Sequence, residues 1–253
     1  MHRLLAETAS LNEAHPSLAK DALNHLKVLR PKDGEEVELF DGRGLTRVYR
    51  YDAVTKTLGD PQPLVTHPRP PRDLTLFACV TKGSRWDWTI EKATELGVTR
   101  IVPVISDRTI VRVAPDECEA KRERWARVAA DAARQSDAVW LPEVTAPVTF
   151  AESLPLVQAT NCFIGALTNP PPEPMAKAVR EKLKREVEGR VEGEERDVKR
   201  GYGIYVGPEG DFTPEELSAL LAIATPVSFG PTVLRAETAA IFGVSVLAAL
   251  TDC

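Results

Sequence analysis

The chain has 253 residues, 43% hydrophobic and 27% charged, which suits a folded protein of one large or two modest domains and excludes a fibrous or wholly disordered chain. Thirty-two Lys and Arg against 37 Asp and Glu leave a net charge of −5, so no overall cationic field binds nucleic acid indiscriminately. Any RNA partner must be gripped by a local patch.

Met1 to Ser10 lacks a basic segment leading into an apolar core, and no later apolar run approaches membrane-spanning length, so no membrane partner and a cytoplasmic location are expected. Alternation in Val37-Glu38-Leu39-Phe40 breaks at Asp41-Gly42-Arg43-Gly44 and resumes from Leu45 to Tyr51, the pattern of a hairpin in a small β-rich domain. Pro68, Pro70 and Pro71, interleaved with Arg69 and Arg72, cannot continue a helix and suit a central strand poorly. The domain boundary is placed there, giving domains 1–72 and 73–253.

Beyond it strands alternate with helices: apolar Leu74 to Val80, a helix over Trp86 to Leu96, apolar Ile101 to Ile105, and a helix over Glu119 to Gln135. This is the signature of an α/β fold with a parallel sheet. Cys162 to Leu167 and Gly203 to Val206 read as buried strands. Pro214 to Ala222 reads as a helix because Thr213 and Glu216 form a capping box, and a last, almost unbroken apolar helix spans Arg235 to Leu250. Between them, 170–200 is a charged insertion that opens with prolines. Charge patterning makes it a solvated helix or loop, with an RNA-touching arm as the alternative. Cys79, Cys118, Cys162 and Cys253 are widely spaced, with no Cys-x-x-Cys pair and no histidine at ligand spacing, as in a cytosolic protein with reduced thiols and no metal.

Two glycine-containing turns follow predicted strands, Val206-Gly207-Pro208-Glu209-Gly210-Asp211-Phe212 and Phe229-Gly230-Pro231-Thr232-Val233-Leu234-Arg235-Ala236-Glu237-Thr238. In a parallel sheet, ligands bind beyond the carboxyl ends of the strands, where such turns bring backbone close. Neither turn matches a dinucleotide or phosphate-loop fingerprint. Glu209 reads equally as a ligand neighbour or as a turn carboxylate. Lys82 and Glu91 suit the surface, and Trp86, Trp88, Trp125 and Trp140 suit the core or an interface.

With these turns, the chain resembles the ribosomal RNA small-subunit (uracil-1498-N3)-methyltransferase family of the SPOUT superfamily. The resemblance also rests on His25-Leu26-Lys27-Val28-Leu29-Arg30, Leu39-Phe40-Asp41-Gly42-Arg43-Gly44, Thr81-Lys82-Gly83, Ile90 to Val98, Ile101-Val102-Pro103, Arg124-Trp125 and Ala132 to Ser136. It implies a PUA-like RNA-binding β-barrel followed by a SPOUT-type parallel sheet with a C-terminal trefoil knot. The implied activity is S-adenosylmethionine-dependent methylation of uridine N3 in 16S rRNA of the small ribosomal subunit, by a homodimer. An inactive RNA-binding or ribosome-assembly protein of the same fold, or an enzyme for another RNA nucleotide, are the alternative readings.

Carried over by position, the resemblance implies cofactor contacts from Ala166, Leu167, Gly207, Pro208, Glu209, Gly210, Phe229, Gly230 and Leu234. Arg235 becomes the first catalytic candidate, since a cation at a helix start opposes the helix dipole and asks for a reason. Glu237 and Thr238 would orient it or take a proton through water. Arg3, His25, Arg30 and Arg43 match basic family positions and are the expected RNA contacts. Asp211 stands where many members carry glycine, and Asp137-Ala138 where Gly-Arg is usual.

Overall fold

Alternating apolar residues build the first of two sheets. The computed structural model describes residues 1–188 and 201–251, so the later part of the predicted insertion and Cys253 lie outside the described residues. By its internal contacts the chain divides into two units, Met1–Arg69 with Ala130–Leu141, and Pro70–Ala129 with Pro142–Cys253.

The first unit holds β1 (His2–Leu5), α1 (Lys20–Leu29), β2 (Glu36–Phe40), β3 (Leu45–Asp52), β4 (Thr57–Gly59) and β5 (Val65–Thr66). The strands form one five-stranded sheet ordered β1-β2-β3-β4, with β5 also on β3. The predicted hairpin is β2–β3, antiparallel with Val37 opposite Tyr49. Its turn is tied by Asp41, whose Oδ1 accepts from the amides of Arg43 at 2.8 Å and Leu45 at 3.0 Å. Leu4, Leu11, Leu26, Val37, Leu39, Tyr49 and Leu58 form the core. Helix α1 was not among the predicted elements. It has no side-chain cap, buries only Ala22 and Leu26, and ends at Arg30 in the left-handed region, φ 49°. In the same unit the Trp140 indole fills the space where Gly44 lacks a Cβ and donates from Nε1 to the Pro68 carbonyl at 2.9 Å.

The second unit contains β6 (Asp73–Cys79), α2 (Ser84–Glu95), β7 (Arg100–Ile105), α3 (Cys118–Gln135, its last residues in the first unit), β8 (Glu143–Val144), β9 (Val148–Thr149), α4 (Phe150–Gln158), β10 (Asn161–Gly165), α5 (Met175–Glu188), β11 (Gly201–Val206), α6 (Pro214–Leu221), β12 (Thr225–Val227) and α7 (Ala236–Thr251). Its sheet runs β12-β10-β11-β6-β7-β8, with β9 also on β7, and every pairing is parallel. Parallel sheets bury both faces, and the two-residue period sorts the side chains. Leu74, Leu76 and Ile204 face Trp86, Trp125, Val244 and Leu247, while Phe77, Val102, Ile164 and Tyr205 face Val157, Phe212 and Leu220. The two tryptophans meet edge to face with centroids 5.6 Å apart.

Helix α5 lies within the predicted charged insertion, and it is more than a solvated helix: Met175, Ala178 and Val179 are buried. Near its end the Glu186 carboxylate accepts from Tyr202 Oη at 2.6 Å, Asn161 Nδ2 at 3.2 Å and Arg72 Nη1 at 3.4 Å. Burial and that carboxylate hold the Tyr202 hydroxyl well above its ordinary pKa. No helix among the described residues is long and apolar enough to cross a membrane.

The near-unbroken apolar sequence of α7 reflects contacts with α2, α5, β6 and β11. Gly243 makes the approach to β11 possible, because a Cβ there would stand 2.6 Å from Ile204 Cγ1. Ile204 is fully buried and cannot step aside into solvent. Gly243→Ala should therefore lower stability by about 1–3 kcal/mol despite the helix propensity gained. Urea unfolding of the purified variant reads this directly; an unchanged midpoint would mean α7 has room to shift.

Candidate functional site

Neighbouring strands β10, β11 and β12 end at Gly165, Val206 and Val227, and the chain beyond these ends encloses a cavity of about 320 Å³. That volume lies at the lower end of the range of small-molecule sites, roughly 300–1,000 Å³. Strand β10 stops two residues earlier than expected, which frees Ala166 and Leu167 to line the cavity. Gly207, Pro208 and Glu209 form a second wall, and Phe229, Gly230 and Leu234 a third. Eight of the nine expected cofactor residues thus share one space.

Local chemistry explains the shape. A Cβ on Gly165 would collide with the Phe229 ring, and one on Gly207 would stand 2.9 Å from Phe212 Cε2, so both rings close over bare backbone. Gly230 has φ 125°, where a side chain would be strained, and its amide donates to Ser228 Oγ at 3.2 Å. Asp211 is left-handed, φ 58°, and its Oδ1 accepts from the Phe212 amide at 2.8 Å, a local bond that suits aspartate to this backbone. Glu209 and Asp211 bring two carboxylates to the wall, and Arg235 brings a guanidinium. Glu209 also pairs with Arg85 at 3.5 Å.

Gly210 is the expected residue that does not line the cavity; its carbonyl is instead held by Arg108 Nη1 at 3.0 Å. Arg235 precedes α7 rather than opening it, and its carbonyl accepts the Ala239 amide at 2.8 Å. Glu237 and Thr238 lie on the first turn of α7, off the cavity wall. Glu237 Oε2 is buried without a hydrogen-bond partner. Sequence reasoning did not single out Arg108; nothing in the local pattern of Asp107-Arg108-Thr109 points across the sheet to the later turn.

In the first unit the four expected RNA contacts separate. Arg3 corrects the expectation, because it is 7% exposed and already satisfied. Its Nε donates to Glu38 at 2.5 Å, its Nη1 to the Ala133 carbonyl at 3.2 Å, and its guanidinium lies 4.5 Å from the Phe40 ring centroid. A cation this buried and this engaged presents little surface to a phosphate. Arg30 and Arg43 are exposed, and His25 is half-buried. Among the described residues no group of three or more His, Cys, Asp or Glu side chains is arranged to hold a metal.

Burial, then the positive charge of Arg134 and His2, holds the His25 imidazole below its ordinary pKa. The fold therefore favours neutral His25: its contribution is present at neutral pH and is lost as pH falls through the ordinary imidazole value, where the unfolded chain takes up the proton more readily. An NMR titration of the His25 ring should give a midpoint below that of a model peptide, and His25→Gln should flatten the loss of stability on mild acidification.

Residues 68–248 match the RNA methyltransferase domain family, and residues 18–57 match the RNA methyltransferase PUA domain. A Synechocystis protein named ribosomal RNA small subunit methyltransferase E is 31% identical over 258 residues, spanning 99% of this chain and 78% of the relative. The solved structure of a Neisseria gonorrhoeae protein of that name, bound to S-adenosyl methionine, is 27% identical with a TM-score of 0.75, covering 99% of this chain and 98% of the other. A Legionella pneumophila methyltransferase in complex with the cofactor SAM is 25% identical with a TM-score of 0.74, covering 98% and 96%.

Proposed function

This chain belongs to the ribosomal RNA small subunit methyltransferase E family, a parallel-sheet α/β RNA methyltransferase with an N-terminal PUA-like domain, and we propose that it transfers a methyl group from S-adenosylmethionine to N3 of uridine 1498 in 16S rRNA. The observation that carries this reading is the cavity at the ends of β10, β11 and β12, whose walls fit the cofactor by chemistry. Backbone and apolar groups at Ala166, Leu167, Gly207, Phe229, Gly230 and Leu234 suit a nucleoside, and the Glu209 and Asp211 carboxylates suit a positively charged sulfonium. When bound, that cofactor supplies an electrophilic methyl group.

The chain's own residues do the rest. Uracil N3 must lose its imide proton, and negative charge then grows on the flanking carbonyl oxygens. Arg235, exposed at the cavity wall, offers a guanidinium to those oxygens, where charge-directed stabilisation is most effective. Glu237 and Thr238, on the first turn of α7 and off the cavity wall, take part only if bound substrate draws Arg235 toward them, Glu237 then orienting the guanidinium and Thr238 contacting water. Arg30, Arg43 and His25 remain the candidate phosphate contacts of the first unit, whose 11 basic and 10 acidic residues over 1–72 demand a one-sided patch.

The knotted C-terminal segment comes from the family resemblance; the path from β12, at the edge of the sheet, to α7, which packs on β11 and β6, is compatible with it. Leu167, Val233 and Phe242 are 65%, 75% and 38% exposed, an apolar rim that supports burial in a homodimer. Such an enzyme works in the cytoplasm, where ribosomes are assembled.

Calorimetry with S-adenosylmethionine should show one site per chain, and rRNA from a deletion strain should lack a single N3-methyluridine by mass mapping; its continued presence would defeat the assignment. Arg235→Ala should reduce kcat by about a hundredfold while leaving cofactor affinity within about twofold. Gly165→Ala should do the reverse in kind, abolishing cofactor binding by driving Phe229 into the cavity.

A further inference from the structure

The turn over 207–213 forms one wall of the cavity, and it is bolted to the loop that follows β7. That loop is braced from within. Ser106 and Thr109 are buried; the Ser106 amide donates to Thr109 Oγ1 at 3.0 Å, and the two hydroxyls are 2.9 Å apart. Arg112 ties the same loop back on itself, donating to the carbonyls of Ser106 at 3.3 Å and Asp107 at 2.9 Å. The Asp107 amide then donates to Glu216 Oε1 at 2.9 Å, while the other oxygen of this buried carboxylate accepts the Thr213 amide at 3.0 Å. From this base Arg108 Nη1 reaches two carbonyls, Gly210 at 3.0 Å and Phe212 at 3.1 Å.

We infer that Arg108 is a positioning residue for the cofactor: by gripping both carbonyls it holds the turn in the backbone arrangement that brings Gly207, Pro208, Glu209 and Asp211 to the cavity. The inference rests on the proposed use of that cavity by S-adenosylmethionine. Two features make an external grip necessary. Asp211 sits at φ 58°, a conformation that a residue with a Cβ adopts at a cost, and the turn's own bonds are short-range, Asp211 amide to Pro208 carbonyl and Phe212 amide to Asp211 Oδ1. Glu216 and the buried Phe212 ring hold the far end of the turn, at 212–213; nearer the cavity the remaining side-chain tie, Arg85 to Glu209, is a 3.5 Å ion pair with Arg85 half exposed, and such pairs contribute little. Arg108 is exposed as well, but its one guanidinium nitrogen bonds two backbone carbonyls at hydrogen-bond distance, the second partly buried, and so restrains the backbone of the turn directly. A turn that spends only a tenth of its time in the competent arrangement weakens apparent affinity tenfold, with no cofactor contact removed.

The test uses the full-length protein and S-adenosylmethionine itself. Arg108→Met keeps the aliphatic stem beside Gly210 and removes both donors; it should raise the cofactor Kd by about tenfold. The KM for cofactor should rise with it, while kcat at saturating cofactor and the KM for RNA stay near wild type. Arg108→Lys, a single point donor, should fall between the two, and Arg85→Ala should bind within about twofold of wild type. In the cofactor-free protein, amide hydrogen exchange over 207–213 should speed up about tenfold in Arg108→Met, with the 228–235 turn unchanged. Wild-type affinity and wild-type exchange in Arg108→Met overturn the inference. If that variant does not fold, Arg108→Lys is read alone, and wild-type values for both quantities overturn it. Should the wild-type protein itself ignore S-adenosylmethionine, the proposed function fails, and the exchange comparison still decides whether Arg108 holds the turn.

Discussion

The structure depends on backbone approaching side chains more closely than a Cβ allows. Gly243 lets α7 settle against Ile204, Gly165 lets the Phe229 ring close over the end of β10, and Gly207 does the same for Phe212. The first contact fixes the last helix against the middle of the sheet, and the other two shape the cavity that the helix start overlooks. A larger residue at any of these positions would change both packing and site, because interiors at crystal-like density have nowhere to send the displaced volume. Fold and site therefore share one constraint.

Most of the parallel sheet was legible because buried strands and amphipathic helices leave distinct periods in the sequence. Leu74 to Val80 and Ile101 to Ile105 correspond to β6 and β7 within a residue or so, and the Thr213–Glu216 capping box marks the observed start of α6. Several short strands and two helices escaped, and three of these elements show why. Helix α1 buries only two side chains and has no cap. Helix α4 carries Pro155 in its interior, which argues against a helix even though Thr149 and Glu152 supply a capping box. Strand β12 has three residues, one of them Pro226, too few to show alternation.

The site was legible where it is made of turns, and illegible where it depends on distant side chains. The turns follow β11 and β12, which flank β10, and both meet at the carboxyl end of that strand. The burial of Arg3 had no signature, since a basic residue near a terminus looks alike whether it faces solvent or Phe40. Arg108 had none either, as its partners are carbonyls. The departures from the family's glycine pattern do acquire a common explanation: Asp137 and Asp211 lie at φ 57° and 58°, the left-handed region that glycine enters freely and aspartate tolerates better than most residues.

The placement of the indoles gives each unit its own optical signature. Trp86 and Trp125, in mutual contact and 2% and 3% exposed, sit in the core of the second unit, whereas Trp140 reports on the first through its seat at Gly44. Trp88, 42% exposed on α2, adds a solvent-facing indole to the second unit, so the Trp140 signal is isolated by its replacement and not by wavelength alone. Replacing Trp140, or the buried pair, with phenylalanine would resolve whether the two units melt in one step or in sequence.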